Sequence, residues 1–498
     1  MNRLNRREFV QTAIAAGISA VTPKMSLARI RGQSTQKRGT KLVAGTAEMI
    51  ITPPPGTPLL GPIQRSNGVH DHLYARAVVL NDRRQRIAIL CLDLVGMAFA
   101  LADEIRGAIR ERTGITVTLV NCSHNHSAPF TIPWTVLGPR WLSGPGKSWR
   151  DGLAPQLAEL VFQAEAKSEA AVLRAGRAPV QIGTNRRLPT KQGIVMKPNP
   201  NGPVVPWVDV LRVDRLDGSP AAILFSHAAH PVIIHGSSRL ISADYPGFAT
   251  RKLKERFGGN VLTMFGQACG GNVNADPLQG GFAAADHVGT VLAEAAFQAA
   301  CSSQAVPPLE FSVASINAEL PLQPLPTYQE CAHALREAED RLVERLWELQ
   351  DQVGSAQSQQ TSSAPDDATE REAWWLMDTV LCLRDLMNKI ERGDRRPLRF
   401  DAHLLRIGDC WSLLSATHEL FAEYQLWFDS AVPAEHSMML AYTNGCESYI
   451  PMARDFAQGG YEAANFSADG AAFRYPHRRA LRPGCEQQII KHLQSLWT

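Results

Sequence analysis

Ile115-Thr116-Val117-Thr118-Leu119-Val120-Asn121-Cys122 is rich in β-branched residues, which favour the pleated backbone of a strand. It follows a helical pattern over Ala98–Thr113, and two strand patterns, Leu73–Leu80 and Arg86–Leu94, come before that helix. The rhythm returns with a strand over Ala221–His227, a helix over Pro246–Phe257 and a strand over Val261–Phe265. Pro246 suits a first helical turn, and Gly258-Gly259 suits a stop. Alternation at this spacing predicts an α/β fold.

The ordered domain is expected over 41–498, opening with Val43–Ala47 and a strand stopped at Pro53-Pro54-Pro55-Gly56. A composition of 45% hydrophobic and 20% charged residues is that of a globular chain. Residues 328–392 differ in character. Leu335, Ala338, Leu342, Leu346 and Leu349 recur at three- and four-residue steps, the mark of an amphipathic helix. A Ser/Gln-rich loop, Ser355 to Ser363, interrupts the pattern, and Ala368–Glu391 resumes it with Trp374 and Trp375. This predicts a helical hairpin inserted between strands, as a wall of the site entrance or as structural cover. Strands resume at Leu398–Ile407.

The N-terminus reads as a targeting segment. Arg6-Arg7 precede Phe9 and an apolar run, Val10–Val21, that is too short to span a bilayer. Ser26-Leu27-Ala28 offers a cleavage site, so 1–28 resembles a twin-arginine signal peptide and implies export to the periplasm or beyond. No other segment is apolar and long enough to cross a membrane, and the mature chain is expected to lack a transmembrane helix. Arg3, Arg6, Arg7 and Lys24 against Glu8 leave a surplus of three, equal to the whole-chain charge of +3. The mature protein is then near neutral, which argues against nucleic acid as a partner. Nine scattered cysteines contain no CxxC pair, and the odd number leaves at least one thiol without an intrachain partner.

Four clusters carry the chemistry. In Asn121-Cys122-Ser123-His124-Asn125-His126-Ser127-Ala128-Pro129, two histidines stand two apart at a strand end. Side chains alternate with period two along a strand, so both imidazoles can face one metal or catalytic centre. In Ser226-His227-Ala228-Ala229-His230-Pro231 the spacing is three, so one histidine is expected at a metal and the other in a local hydrogen bond. Asp244, ahead of a helix, is a candidate cap or a carboxylate orienting a histidine. Glu419 follows the apolar strand Leu413–Ala416, and two histidines with one carboxylate form a catalytic zinc arrangement. The last cluster holds Tyr442, Tyr449 and Gly459-Gly460-Tyr461-Glu462, where packing is each tyrosine's default role. Gly266–Asn272 is glycine-rich but lacks the Lys-Ser/Thr pair of a P-loop, and marks close backbone approach to a site.

In this order the clusters resemble the catalytic domain of the neutral/alkaline ceramidases, zinc amidohydrolases that split ceramide into sphingosine and fatty acid. The likeness runs from about Gly45 to Tyr461. It includes Gly45-Thr46-Ala47-Glu48, Gly68-Val69-His70, Asp93, the HxHSxP stretch, Asn185-Arg186, His230-Pro231, Asp244, Phe265-Gly266-Gln267 and the Glu419 and Tyr449 regions. The resemblance implies mixed β-sheets flanked by helices, and zinc held by His124, His230, Glu419 and Tyr449. It gives His126 the task of polarising the carbonyl and handling protons, and gives Arg186 a contact with substrate. Two departures are visible. Family members carry a serine in a Gly-Asp/Asn-x-Ser-Pro motif, where Gly271-Asn272-Val273-Asn274-Ala275-Asp276 places Asn274. Asparagine is no nucleophile, but its amide can donate to an oxyanion. With Thr498 the last residue, the chain is expected to lack the C-terminal β-rich domain of the ceramidases.

The expected activity is zinc-dependent hydrolysis of an amide-type bond by zinc-activated water. The expected substrate is a small-molecule or lipid-like N-acyl compound, ceramide or another. A zinc esterase for a small substrate and an inactive ceramidase-fold binding protein are the alternatives. A serine hydrolase is disfavoured because no GxSxG elbow is present.

Overall fold

The Phe99–Thr113 helix buries Leu101, Ala102, Ile105 and Ile109, which share one face at the helical period. It stops at Gly114, whose φ of 71° lets its N–H return to the Arg110 carbonyl. This helix crosses between Arg86–Leu92 and Val117–Cys122, which therefore pair in parallel. The Asp244–Arg256 helix does the same between Pro220–His227 and Leu262–Gln267. These parallel pairs form the two ends of one large sheet. Its order is Leu262–Gln267, Pro220–His227, Trp207–Arg215, Glu169–Pro179, Val43–Ile50, Tyr74–Asn81, Arg86–Leu92, Val117–Cys122. The pairs between the two ends are antiparallel, so the sheet is mixed. The computed structural model describes residues 42–498 except 61–64, 130, 133, 135–144, 309, 359–366 and 468. The paired arginines and apolar run of 1–28, and most of the Ser/Gln-rich loop, lie outside the described residues.

A second sheet runs Phe311–Leu320, Leu398–Ile407, Trp411–Ala416, His436–Leu440. Its last pair is parallel, bridged by the Ala422–Ala431 helix. The inner face sets Trp411, Leu413 and Met438 against Ile89, Leu224 and Met264 of the large sheet. Burying each such side chain contributes about 1.5–3 kcal/mol. On the outer side of the large sheet, the helices Asp244–Arg256 and Gly281–Cys301 meet at Gly289. A Cβ there would come within 2.6 Å of the Phe248 Cβ and 2.8 Å of the Tyr245 carbonyl oxygen. The structure is thus the expected mixed α/β architecture.

The strand ends converge on one point. Asn121, wholly buried, donates through Nδ2 to the carbonyls of Gln267 at 3.2 Å and Ala441 at 2.6 Å, while the Gln267 N–H donates to its Oδ1 at 2.8 Å. One side chain thereby clasps the two end strands of the large sheet to the segment leaving the second sheet. The loops after Val117–Cys122, Pro220–His227, Leu262–Gln267 and Trp411–Ala416 open there, at the carboxyl ends where α/β proteins place ligands. The Val261–Phe265 strand extends to Gln267, two residues into the expected loop, because Gly266 and Gln267 still pair with Ser226 and His227.

Tyr328–Ser358 and Asp367–Glu391 are helices packed antiparallel, with Glu339 bonded to Arg384 and Arg341 to Glu372. Ala338, Val380, Leu383 and Leu386 seal the contact. Fully buried Arg474 fastens the second helix to the core. It donates to Asp378 Oδ2 at 2.7 Å and Thr379 Oγ1 at 2.8 Å, and lies 3.7 Å above the Trp375 ring. Among the described residues no helix is long and apolar enough to cross a membrane.

Candidate metal and substrate site

Non-local pairing of very short strands assembles the site. Glu419-Leu420 pairs with Tyr449-Ile450, placing Glu419 directly beside Tyr449. His230 forms an isolated bridge with Asn274, and the Arg186 N–H donates to the Asn272 carbonyl at 2.9 Å. His124 comes next to His126, with their Nε2 atoms 3.2 Å apart. The cause is not strand alternation. His124 lies beyond the strand in a left-handed conformation, φ 63°, anchored by its N–H on the Leu94 carbonyl. His418 and Tyr442 also carry positive φ, at 74° and 51°. Backbone strain of this kind persists where surrounding structure over-determines it, and it clusters at functional sites.

The Nε2 atoms of His124 and His230 converge on Glu419 at the centre. His124 Nδ1 is 2.6 Å from the Val95 carbonyl oxygen, and His230 Nδ1 is 2.6 Å from the Gly270 carbonyl oxygen. A carbonyl only accepts, so each Nδ1 carries a proton, and in the neutral imidazole each Nε2 presents a lone pair. Both Nε2 atoms face Glu419 Oε2 at 3.1 Å. Burial works to raise the Glu419 pKa, but His124 and His230 overcome it and hold it well below the usual carboxylate value. Burial, together with Arg186 and His124, drives His230 down to about 3. In the metal-free chain an Nε2 proton of either imidazole can bridge to the carboxylate; with both imidazoles neutral, their Nε2 lone pairs and Glu419 Oε2 converge on one point, as the ligands of a cation do. His230 and Glu419 are 0% and 2% exposed, and a cation at this point would satisfy both imidazoles and the carboxylate. Imidazole and carboxylate donors, with a buried phenol adjacent, fit a zinc ion. The carbonyls behind each Nδ1 are the partners that orient metal-binding histidines.

The surroundings aim these donors. Tyr475 donates to Glu419 Oε1 at 2.6 Å and Tyr442 to Oε2 at 3.3 Å. Tyr449 Oη lies 3.4 Å from His230 Nε2, and burial with the nearby Glu419 raises its pKa well above the usual phenol. Arg186 spends its guanidinium on protein acceptors: Nε on Glu462 at 2.7 Å, Nη1 on Asn274 Oδ1 at 3.0 Å, and Nη2 on the Gly271 carbonyl at 2.8 Å and Tyr449 at 3.1 Å. A guanidinium only donates, so the Asn274 amide must turn its oxygen to Arg186 and its N–H bonds away. Gly271 is the close approach expected of the glycine-rich loop. A Cβ there would meet the Glu419 carbonyl oxygen at 2.6 Å.

A cavity of about 590 Å³ opens onto this centre. His124, His126, Arg186, Asn274, Glu419 and Tyr449 all reach its wall. Its other walls are largely apolar, among them Leu60, Ile132, Trp134, Met196, Trp374 and Trp375. Ring-nitrogen atoms of His124, His126 and His230 lie within 4.8 Å of one another, and His126 is the one of the three that keeps appreciable exposure. Burial and the neighbouring His124 and His235 rings hold the His126 pKa well below that of a free imidazole.

Other residues singled out in the sequence stand apart from the centre. His227 Nδ1 bonds the Trp207 carbonyl at 2.8 Å, the local role expected for one member of its pair. Asp244 accepts from the backbone N–H groups of Ile234 and Tyr245, at 2.9 and 2.6 Å, and therefore fastens its own loop. Asp93 pairs with buried Arg76 at 3.0 Å, and His70 stacks on Phe282 at 3.8 Å. Tyr475 had no sequence signal, since it lies 56 residues beyond Glu419 in a segment without spacing cues.

No family model matches the sequence, and no curated protein matches it. Solved ceramidase structures share the fold. The neutral ceramidase of Pseudomonas aeruginosa aligns over 92% of this chain and 74% of its own, with a TM-score of 0.63 and 15% identity. A ceramidase complexed with C2 aligns over 88% of this chain and 74% of its own, with a TM-score of 0.61 and 14% identity. The chain has a ceramidase-like fold.

Proposed function

We propose that this chain is a zinc-dependent hydrolase of an amide-type bond in a lipid-like N-acyl substrate. The observation that carries the reading is the buried convergence of the His124 and His230 Nε2 atoms on Glu419 Oε2, each at 3.1 Å, beside an apolar cavity. About 590 Å³ lies within the range of small-molecule pockets, and the tryptophan-lined wall suits an acyl chain. His124, His230 and Glu419, with Tyr449, would hold the ion. Zinc in such a site activates water near neutral pH and acts as a Lewis acid on a carbonyl.

The chain's own groups do the rest. The apolar wall binds the acyl chain and excludes water. Asn274 offers its Nδ2 hydrogens to the carbonyl oxygen, where negative charge develops. Arg186 orients Asn274 and Tyr449. His126, neutral at pH 7, takes up a proton at Nε2 as water adds to the carbonyl carbon, and returns it to the departing nitrogen. The C–N bond breaks, releasing a carboxylic acid and an amine.

The test is a screen of purified protein, with and without chelator, against ceramides, N-acyl amino acids and simple esters. Chelator-sensitive amide cleavage is expected. Cleavage of esters alone would replace this reading with a zinc esterase. Zinc-loaded protein that binds these compounds but turns none over would make it a binding protein, the reading that Asn274 in place of a nucleophile favours. We also propose export through the signal-like segment 1–28, which has the paired arginines Arg6-Arg7.

A further inference from the structure

Charge in the cavity wall is compensated at every position but one. Arg186 pairs with Glu462 at 2.7 Å, and Asp378 with Arg474 at 2.7 Å. Glu372 is taken at both oxygens, by Arg341 at 3.1 Å and Arg345 at 3.0 Å. Glu419 accepts from Tyr475 and Tyr442 and belongs to the candidate ion site. Arg371 is the exception: it is exposed, lines the cavity, and has no ion pair or hydrogen bond among the described residues. Glu372, its neighbour in sequence, is already neutralised, and Glu370 accepts from the Trp374 indole at 3.4 Å. Arg371 stands three and four residues before Trp374 and Trp375, so the cation shares a helix face with the aromatic wall. Trp375 in turn lies 5.8 Å from Trp134.

An apolar wall bordered by one uncompensated cation suits an amphiphile with an apolar chain and an anionic end. We propose, resting on the hydrolase reading above, that the substrate is an N-acyl amino acid and that Arg371 takes its carboxylate. Hydrolysis then adds water across the C–N bond, releasing the fatty acid as carboxylate and the free amino acid with its amine protonated. A guanidinium matches the two oxygens of a carboxylate in a bidentate pair. A neutral head group leaves the Arg371 charge without a partner.

The test compares N-lauroyl-ω-amino acids of increasing spacer length with the matching neutral carboxamides. For at least one spacer, kcat/KM should favour the carboxylate about fivefold, the scale of an exposed ion pair. The preference should shrink between about 0.01 M and 1 M salt, as the Debye length falls from about 30 to 3 Å. Arg371→Ala should abolish the preference, Arg371→Lys should retain part of it, and Arg371→Glu should reverse it. Unchanged zinc content and melting temperature would show that the variants remain folded. A carboxylate preference that is absent from the parent, or that survives in Arg371→Ala, overturns the proposal. If no amide is cleaved, the hydrolase reading fails. The same ratios, read as dissociation constants from quenching of the cavity tryptophans, then judge Arg371 independently.

Discussion

Tyr475→Phe is the sharpest perturbation of the candidate site, because it deletes one oxygen and leaves the ring in the core. That oxygen donates to Glu419 Oε1 at 2.6 Å, and Glu419 is 2% exposed. The other carboxylate oxygen faces His124 and His230 at 3.1 Å, so Tyr475 sets the direction in which Oε2 points. A hydrogen bond to a buried charge contributes about 1.5–3 kcal/mol. Two consequences are separable. If Tyr475 only stabilises the fold, denaturant unfolding of the metal-free protein shifts by that amount and zinc affinity does not move. If it aims Glu419 at the ion, zinc affinity falls by about 10–100-fold, the usual cost of removing a partner that orients a metal ligand. The assay is a zinc titration of chelator-stripped protein in competition with a chromophoric indicator, beside an unfolding curve of the same sample. A dissociation constant within twofold of the parent, in a folded variant, would refute the claim that Tyr475 positions a ligand.

Alanine at His124 or Glu419 is expected to remove stoichiometric zinc, and elemental analysis that still finds one tightly held zinc per chain in both variants would sink the ligand assignment. Asn274→Ala should keep zinc and lose about 10²–10³-fold in turnover, the cost of one oxyanion donor, whereas His126→Ala should be more severe. Equal inactivity of those two variants, with zinc and fold intact, would mean that Asn274 has a role beyond donating a hydrogen bond. Gly271→Ala should destabilise the chain by about 1–3 kcal/mol, because its Cβ would press on the Glu419 carbonyl at 2.6 Å, and a denaturation midpoint equal to the parent's would contradict that packing. Lys-Lys in place of Arg6-Arg7 should hold the precursor inside the cell, and fractionation showing normal export would remove the twin-arginine reading.

Local sequence determined the parts of this protein that rest on short-range physics. The β-branched run ending at Cys122 and the apolar face of Phe99–Thr113 are legible because backbone preference and periodic burial act within a few residues. The mixed α/β class follows from their alternation, and the crossing helices account for the parallel pairs at both ends of the large sheet. His124, His126, His230 and Glu419 stand out in sequence because each follows an apolar strand, where α/β proteins open to ligands. What decided their arrangement was long-range. The left-handed turn at His124, the pairing of Glu419 with Tyr449 and the clasp of Asn121 on Gln267 join residues by contacts that no window of sequence contains. Arg186 shows the difference most clearly. The family resemblance implied a contact with substrate, and the folded chain sets Arg186 at the cavity wall, bonded to Glu462, Asn274, Gly271 and Tyr449. A buried guanidinium must satisfy its donors wherever acceptors lie, and only the tertiary structure determines which acceptors those are.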